Sequence, residues 1–380
     1  MDETIGKRHI DARYLLKLPV LYGFSYVMHA LRPLITDKIQ VSDKEGVLKN
    51  KELTSGPRLW AIKHETIMDP VNIMPLWRQI SYLPDLKIAA KEFKGKERIL
   101  DFLFGSLFFH VYRLSRGEGA DEEDRKQMDM KNKKSLEAAR ARYLNGAHNI
   151  IFPEGTTDTD GTVFPIKSGC YNLSFMGDFK IPILPMGITY DFFAGRNNCL
   201  TGKKRNLAFI NLGKPFVYEK AYDNVKQDIR AHTNRVRDVL IGLNTITVSQ
   251  LAGEYILKQA IAGNNHINRQ QLQKVVSARV DGLRGLEGLT FDEALLENNS
   301  CEKRIEMLYN NLGNYFAAED KISIERVLLE PENIKYEKGH PLRYAGYKKG
   351  NPLRFCANRL IQVSEKRPDI EEVLERTRLL

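Results

Sequence analysis

The chain has little cysteine: four residues in 380, Cys170, Cys199, Cys301 and Cys356, scattered and without a CxxC pair. That excludes a disulfide framework and a thiolate metal site, and predicts reduced thiols in a cytosolic protein. A long hydrophobic run is also missing. The stretch 14–35 is apolar but is interrupted by Lys17, His29 and Arg32 and by Pro19 and Pro33, and its uncharged part, Leu18 to Met28, is eleven residues long. A membrane-spanning helix needs about 20, so this segment reads either as a buried helical pair or as a helix lying in a membrane interface. Lys7, Arg8 and Arg13 suit the interfacial reading. No cleavable signal peptide, internal repeat or low-complexity tract is expected. A Gly-x-Ser-x-Gly elbow is absent, which counts against a serine lipase. His64-Glu65 is followed by Met68 where a metalloprotease helix needs its second histidine. Asp158-Thr159-Asp160-Gly161 lacks the rest of an EF-hand loop and reads as a turn. No metal site is predicted.

What is present is a basic balance, +10 in formal net charge. It favours an anionic partner, nucleic acid or an anionic membrane surface, unless it is only a solvated basic exterior. No nucleic-acid module accompanies it. Strands are predicted at Arg58–Lys63, Leu86–Ala90, Ile150–Phe152, Ile181–Thr189 and Leu207–Asn211. Helices are predicted from Pro70 to Arg78, over Lys131–Asn145, from Ser168, and over Tyr222–Leu243. Strands alternating with helices imply an α/β sheet with helical layers. Beyond residue 245 strand signals fade, and short helices are expected over Glu254–Ala262, Gln271–Ala278, Glu293–Asn298 and Pro352–Ser364.

The chemistry-bearing residues gather where predicted strands stop. Ile150, Ile151 and Phe152 end in Pro153-Glu154-Gly155-Thr156, in which proline stops the ladder, Glu154 brings a carboxylate and Gly155 permits a turn. Such strand tips carry binding and catalytic groups in α/β proteins. Upstream, Leu59-Trp60-Ala61-Ile62 leads into His64, with Asp69 beyond it and four residues between the two. A histidine beside a carboxylate pairs a base with its orienting partner. Positions five apart do not share a helix face, so an irregular turn must bring them together, which Pro70 permits. Asp69 also reads as the N-cap of the helix opening at Pro70, and His64 as a polar residue closing a strand. Arg113 closes a glycine-led apolar run, Gly105 to Val111, and offers a fork suited to phosphate, or to an ion pair with Asp121–Asp124.

Taken in order, these segments resemble the glycerolipid acyltransferase family, whose type member acylates lysophosphatidic acid. The histidine-aspartate box corresponds to residues 64–69, the glycine-to-arginine motif to 105–113, the third motif to Phe152–Thr156, and a proline-centred strand to Ile181–Gly187. Asp160-Gly161 and Pro165–Gly169 also fit, and the likeness spans roughly residues 45–220. The resemblance implies a mixed sheet flanked by helices over residues 41–245. A membrane-associating helical arm is expected over 1–40, and a helical C-terminal subdomain of open role over 246–380. It implies an O-acyltransferase that moves a fatty acyl group from acyl-CoA or acyl carrier protein, with no other cofactor, to a lysophospholipid hydroxyl. The leading acceptor is 1-acylglycerol-3-phosphate; glycerol-3-phosphate or another lysolipid, such as a lyso-ornithine lipid, is the alternative. A non-catalytic lipid-binding protein is the reading from another class. His64 and Asp69 are then catalytic. Arg113, Glu154, Gly155, Thr156 and Lys167 line the acceptor site, with Glu154 holding Arg113 or a glycerol hydroxyl. The partners implied are donor, acceptor and a membrane surface, not nucleic acid, and the location is the cytoplasmic, inner face of a membrane. Two departures flank the pocket: Lys63 where the family often has asparagine, and Thr157 where it often has arginine.

Overall fold

The computed structural model describes residues 36–50, 58–65, 69, 72–73, 76, 86–91, 110–114, 121–144, 148–155, 160–176, 179–196, 205–318, 321–328 and 351–379. Its centre is a seven-stranded sheet of β1 (Thr36–Ser42), β2 (Leu59–Ile62), β3 (Leu86–Lys91), β4 (His110–Leu114), β5 (His148–Ile151), β6 (Ile183–Asp191) and β7 (Asn206–Leu212), in the order β1-β7-β6-β2-β5-β3-β4. Strands β2 to β6 run parallel to one another, β1 runs parallel to β7, and the β6–β7 pair is antiparallel. This is the mixed sheet expected. β2, β5, β6 and β7 are buried at every position, and their apolar runs reflect a sheet covered on both faces.

β1 opens at Thr36, inside the stretch expected to belong to a helical arm. Its most buried residues, Thr36 and Gln40, are polar and are met by polar partners, Asn72 and the carbonyl of Phe291. The helix expected over Lys131–Asn145 is longer, running over Glu122–Leu144 as α1; Ala139 and Tyr143 enter the core while Leu144 stays exposed. α2 (Ser168–Ser174) follows the glutamate loop. α3 (Val225–Gly242) starts at Asn224, whose side chain accepts the amides of Lys226 and Gln227.

The C-terminal part is mainly helical, as expected: α4 (Val248–Ile261), α5 (Arg269–Arg284), α6 (Asn298–Asn311), α7 (Ile324–Leu328), α8 (Pro352–Ser364) and α9 (Pro368–Arg378). It is not set apart from the sheet, because its buried side chains continue the same hydrophobic cluster. α8 packs on α4 and reaches the sheet's functional end. Among the described residues no helix is long and apolar enough to cross a membrane. The N-terminal arm up to residue 35 lies outside the described residues.

Candidate active site

β2 and β5 are parallel neighbours, with Ala61 opposite Ile151, so the chain leaves both at the same edge of the sheet. His64 and Glu154 therefore meet. The His64 amide donates to Glu154 Oε1 at 3.1 Å, and the imidazole stacks on Phe152 with ring centroids 4.3 Å apart. Gly155, at φ +70°, closes the turn by donating its amide to the Phe152 carbonyl at 2.9 Å. Only glycine adopts that backbone readily, so its expected role as a turn residue holds. The returning loop is tied down twice, by the Phe164 amide on Glu154 Oε2 at 2.8 Å and by the Lys167 amide on the Pro153 carbonyl at 2.8 Å.

Asp69 completes the site. Its Oδ2 accepts the Glu65 amide at 2.7 Å and lies 2.9 Å from His64 Nδ1. The carboxylate thus turns back onto the box instead of serving only as a helix cap. Its Oδ1 accepts the Tyr190 hydroxyl at 2.8 Å, and Asn72 Nδ2 in turn donates to that hydroxyl oxygen at 2.7 Å. Asp69 is fully buried, whereas the His64 side chain keeps 18% of its surface exposed. A buried carboxylate on Nδ1 holds the proton there and leaves Nε2 with its lone pair. The arrangement suits general-base chemistry on a hydroxyl.

Two expectations are corrected. Glu154, expected to hold Arg113 or a glycerol hydroxyl, is turned to two backbone amides. It is fully buried and both its oxygens take backbone amides, so it braces the two strand tips. Burial pushes its carboxyl above the usual range, opposed by Lys63 and the two amides. Lys63, a departure expected to flank the acceptor pocket, has its side chain in the interior. It is fully buried and its Nζ donates to Glu65 Oε1 at 2.9 Å. The same carboxylate takes the Arg359 guanidinium from α8.

Of the other predicted residues, Arg113 lies on β4 opposite Ala90, while Ala89 of β3 is opposite Ile151. Register therefore sets the Arg113 backbone level with the end of β5, at the same edge as His64. Lys167 is exposed at the start of α2, next to the glutamate turn through its backbone. Thr156 and Thr157 lie outside the described residues. Tyr190, Asn72, Glu65 and Arg359 were not among the candidates. Tyr190 sits just beyond the fourth motif, a faint signal; Arg359 is 294 residues from its partner Glu65 and carries none.

The sequence profile of the family described as Acyltransferase matches residues 38–189. No curated protein matches the chain. Among solved structures, the 1-acyl-sn-glycerophosphate (LPA) acyltransferase PlsC from Thermotoga maritima is similar at 18% identity with a TM-score of 0.38, covering 60% of this chain and 81% of that one.

Proposed function

We propose that the chain, whose residues 38–189 match the acyltransferase family, transfers a fatty acyl group from a thioester, acyl-CoA or acyl carrier protein, to a lysophospholipid hydroxyl. The leading acceptor is 1-acylglycerol-3-phosphate. The observation that carries this reading is the His64 Nδ1 to Asp69 Oδ2 contact of 2.9 Å at a partly exposed histidine. His64 Nε2 takes the acceptor's hydroxyl proton as the oxygen attacks the thioester carbonyl. The tetrahedral intermediate collapses, the new C–O bond stands, the C–S bond breaks, and the imidazolium returns its proton to the departing thiolate. No acyl-enzyme is needed, because a thiolate leaves readily.

Arg113 is the proposed phosphate residue. It sits three strands from β2, about 14 Å at the usual strand spacing, a span that an arginine side chain and a phosphoglycerol together bridge. Its guanidinium fork matches two phosphate oxygens and an ammonium does not. Arg113→Lys is therefore expected to raise the KM for a phosphate-bearing acceptor about tenfold or more while changing the donor KM less; equal effects on both contradict the assignment. Glycerol-3-phosphate and other lysolipids remain the alternative acceptors. Purified protein given each donor with a panel of lysolipids, followed by mass spectrometry of the products, separates them.

A further inference from the structure

The turn that carries His64 is held from beneath by a helix outside the segment that matches the family. Arg359 of α8 has only 3% of its surface exposed and spends its whole guanidinium on the catalytic end of the sheet. One terminal nitrogen pairs with Glu65 and donates to the Ile188 carbonyl of β6 at 2.8 Å. The other donates to the Gly161 carbonyl at 3.1 Å, and Nε donates to Asn244 Oδ1 at 2.9 Å. Glu65 lies between His64 and Asp69 in the chain and gives its own amide to the Asp69 oxygen that meets the imidazole. Around Arg359 the same helix grips the loop that leaves Glu154. Asn358 Nδ2 donates to the Asp160 carbonyl at 3.0 Å, and the Gln362 amide both donates to and accepts from the Val163 backbone, at 3.1 and 2.7 Å.

We propose that Arg359 is a positioning residue of the transferase, fixing the His64–Asp69 turn and the 160–163 loop at one spacing through Glu65 and the Gly161 carbonyl. The proposal rests on the acyl-transfer reading of His64. It explains why lysine stands at position 63: Lys63 and Arg359 share one buried carboxylate, so neither that carboxylate nor the box is left without a countercharge. It also gives the C-terminal subdomain a part in catalysis without placing it in contact with substrate.

A guanidinium that reaches four acceptors at once cannot be replaced by an ammonium. Arg359→Lys, which keeps the charge, is expected to lower kcat about 10- to 100-fold, with both KM values within about twofold, since a small misplacement of the base costs turnover more than binding. Arg359→Met removes one positive charge beside the box. The charged and titratable groups facing the turn are Lys63, Glu65 and Asp69 on its own segment, Glu154 from the β5 turn, Tyr190 from β6, and Cys356 with Arg359 on α8. Losing the Arg359 charge leaves a more negative surrounding and favours the imidazolium. The acid limb of the kcat/KM profile should then move to higher pH by about one unit, and adding Glu65→Gln should return it. In Arg359→Lys the limb should stay in place.

The experiment measures these profiles on the full chain with acyl-CoA and lysophosphatidic acid, beside hydrogen exchange of the His64, Glu65 and Phe164 amides in the folded Arg359→Lys protein. Faster exchange confined to those amides, with the kcat loss, supports positioning. Wild-type kcat, an unmoved acid limb in both variants, or exchange raised evenly across the molecule would make Arg359 an ordinary structural tie and overturn the proposal. If Arg359→Met does not fold, the Arg359→Lys kcat and exchange decide alone. If the wild-type protein acylates no lysolipid, the functional reading fails, and the exchange pattern still tests whether Arg359 sets the turn.

Discussion

Asp69 carries the heaviest duty of any single side chain here, because one buried carboxylate orients the imidazole, closes the turn through the Glu65 amide and takes the Tyr190 hydroxyl. Asp69→Asn puts an amide where three donors converge, so one donor must face the new NH2 group. The expected cost in kcat/KM is about 10²–10⁴, with the protein still folded by circular dichroism. Tyr190→Phe removes one donor to a charged acceptor, a hydrogen bond contributing about 1.5–3 kcal/mol. It should lower stability in urea titration and reduce turnover by less than Asp69→Asn does. A Tyr190→Phe protein as inactive as Asp69→Asn would mean that the phenol itself takes part in the chemistry. His64, Asp69 and Gly155 were legible because residue type and strand-tip position fix what they do. Glu154 was legible as important but not in its role: residue type suggests that it holds Arg113 or a glycerol hydroxyl, and only the two amides on its oxygens reveal a brace. Tyr190 and Arg359 act through contacts between distant parts of the chain, which no local pattern encodes.

Among the elements, α8 and the 160–163 loop are the pair most sensitive to a small change. Gly161 stands at φ +92°, and a Cβ there would lie 1.9 Å from the Phe355 carbonyl oxygen of α8. Backbone cannot yield as a side-chain tip does, so Gly161→Ala combines a strained conformation with a displaced helix. A loss of about 2 kcal/mol or more is expected in chemical denaturation, with activity falling as α8 moves Arg359. Stability within about 0.5 kcal/mol of wild type would show that α8 is loosely seated. The strand–helix alternation was legible because β2 is a continuous apolar run and β5, β6 and β7 each contain a shorter one, Ile150–Ile151, Ile183–Met186 and Leu207–Ile210. β1 was not, since its inward positions are Thr36 and Gln40 and its burial is satisfied by hydrogen bonds. The extra turns of α1 were hidden because its first half is charged and almost wholly exposed, leaving no apolar period to detect. The helix expected over Pro352–Ser364 has those bounds, and the structure adds the Asn351 side chain as its cap, with proline at the helix start.

At the scale of the whole molecule, the proposed lysolipid acceptor, its acyl chain in a bilayer, has to meet a protein carrying +10 formal charge. The N-terminal arm, with Lys7, Arg8, Arg13, Lys17 and Arg32 around its apolar residues, is the proposed interfacial anchor, at about 1 kcal/mol per basic residue near an anionic surface. Removing residues 1–33, short of β1, should weaken binding to anionic vesicles in flotation assays and reduce activity on vesicle-borne acceptor, while a short-chain soluble acceptor is used nearly as before. Undiminished vesicle binding by the truncated chain would move the membrane contact elsewhere. In the proposed acyl transfer His64, held by Asp69, removes the acceptor's proton. The most direct test supplies acyl-CoA or acyl carrier protein with lysophosphatidic acid and related lysolipids to wild-type and His64→Ala protein, both shown to be folded, and follows the diacyl product by mass spectrometry. Product from the wild type, reduced about 10²–10⁴-fold in His64→Ala, is the predicted result; equal product from both proteins, or none from the wild type with any acceptor, contradicts it.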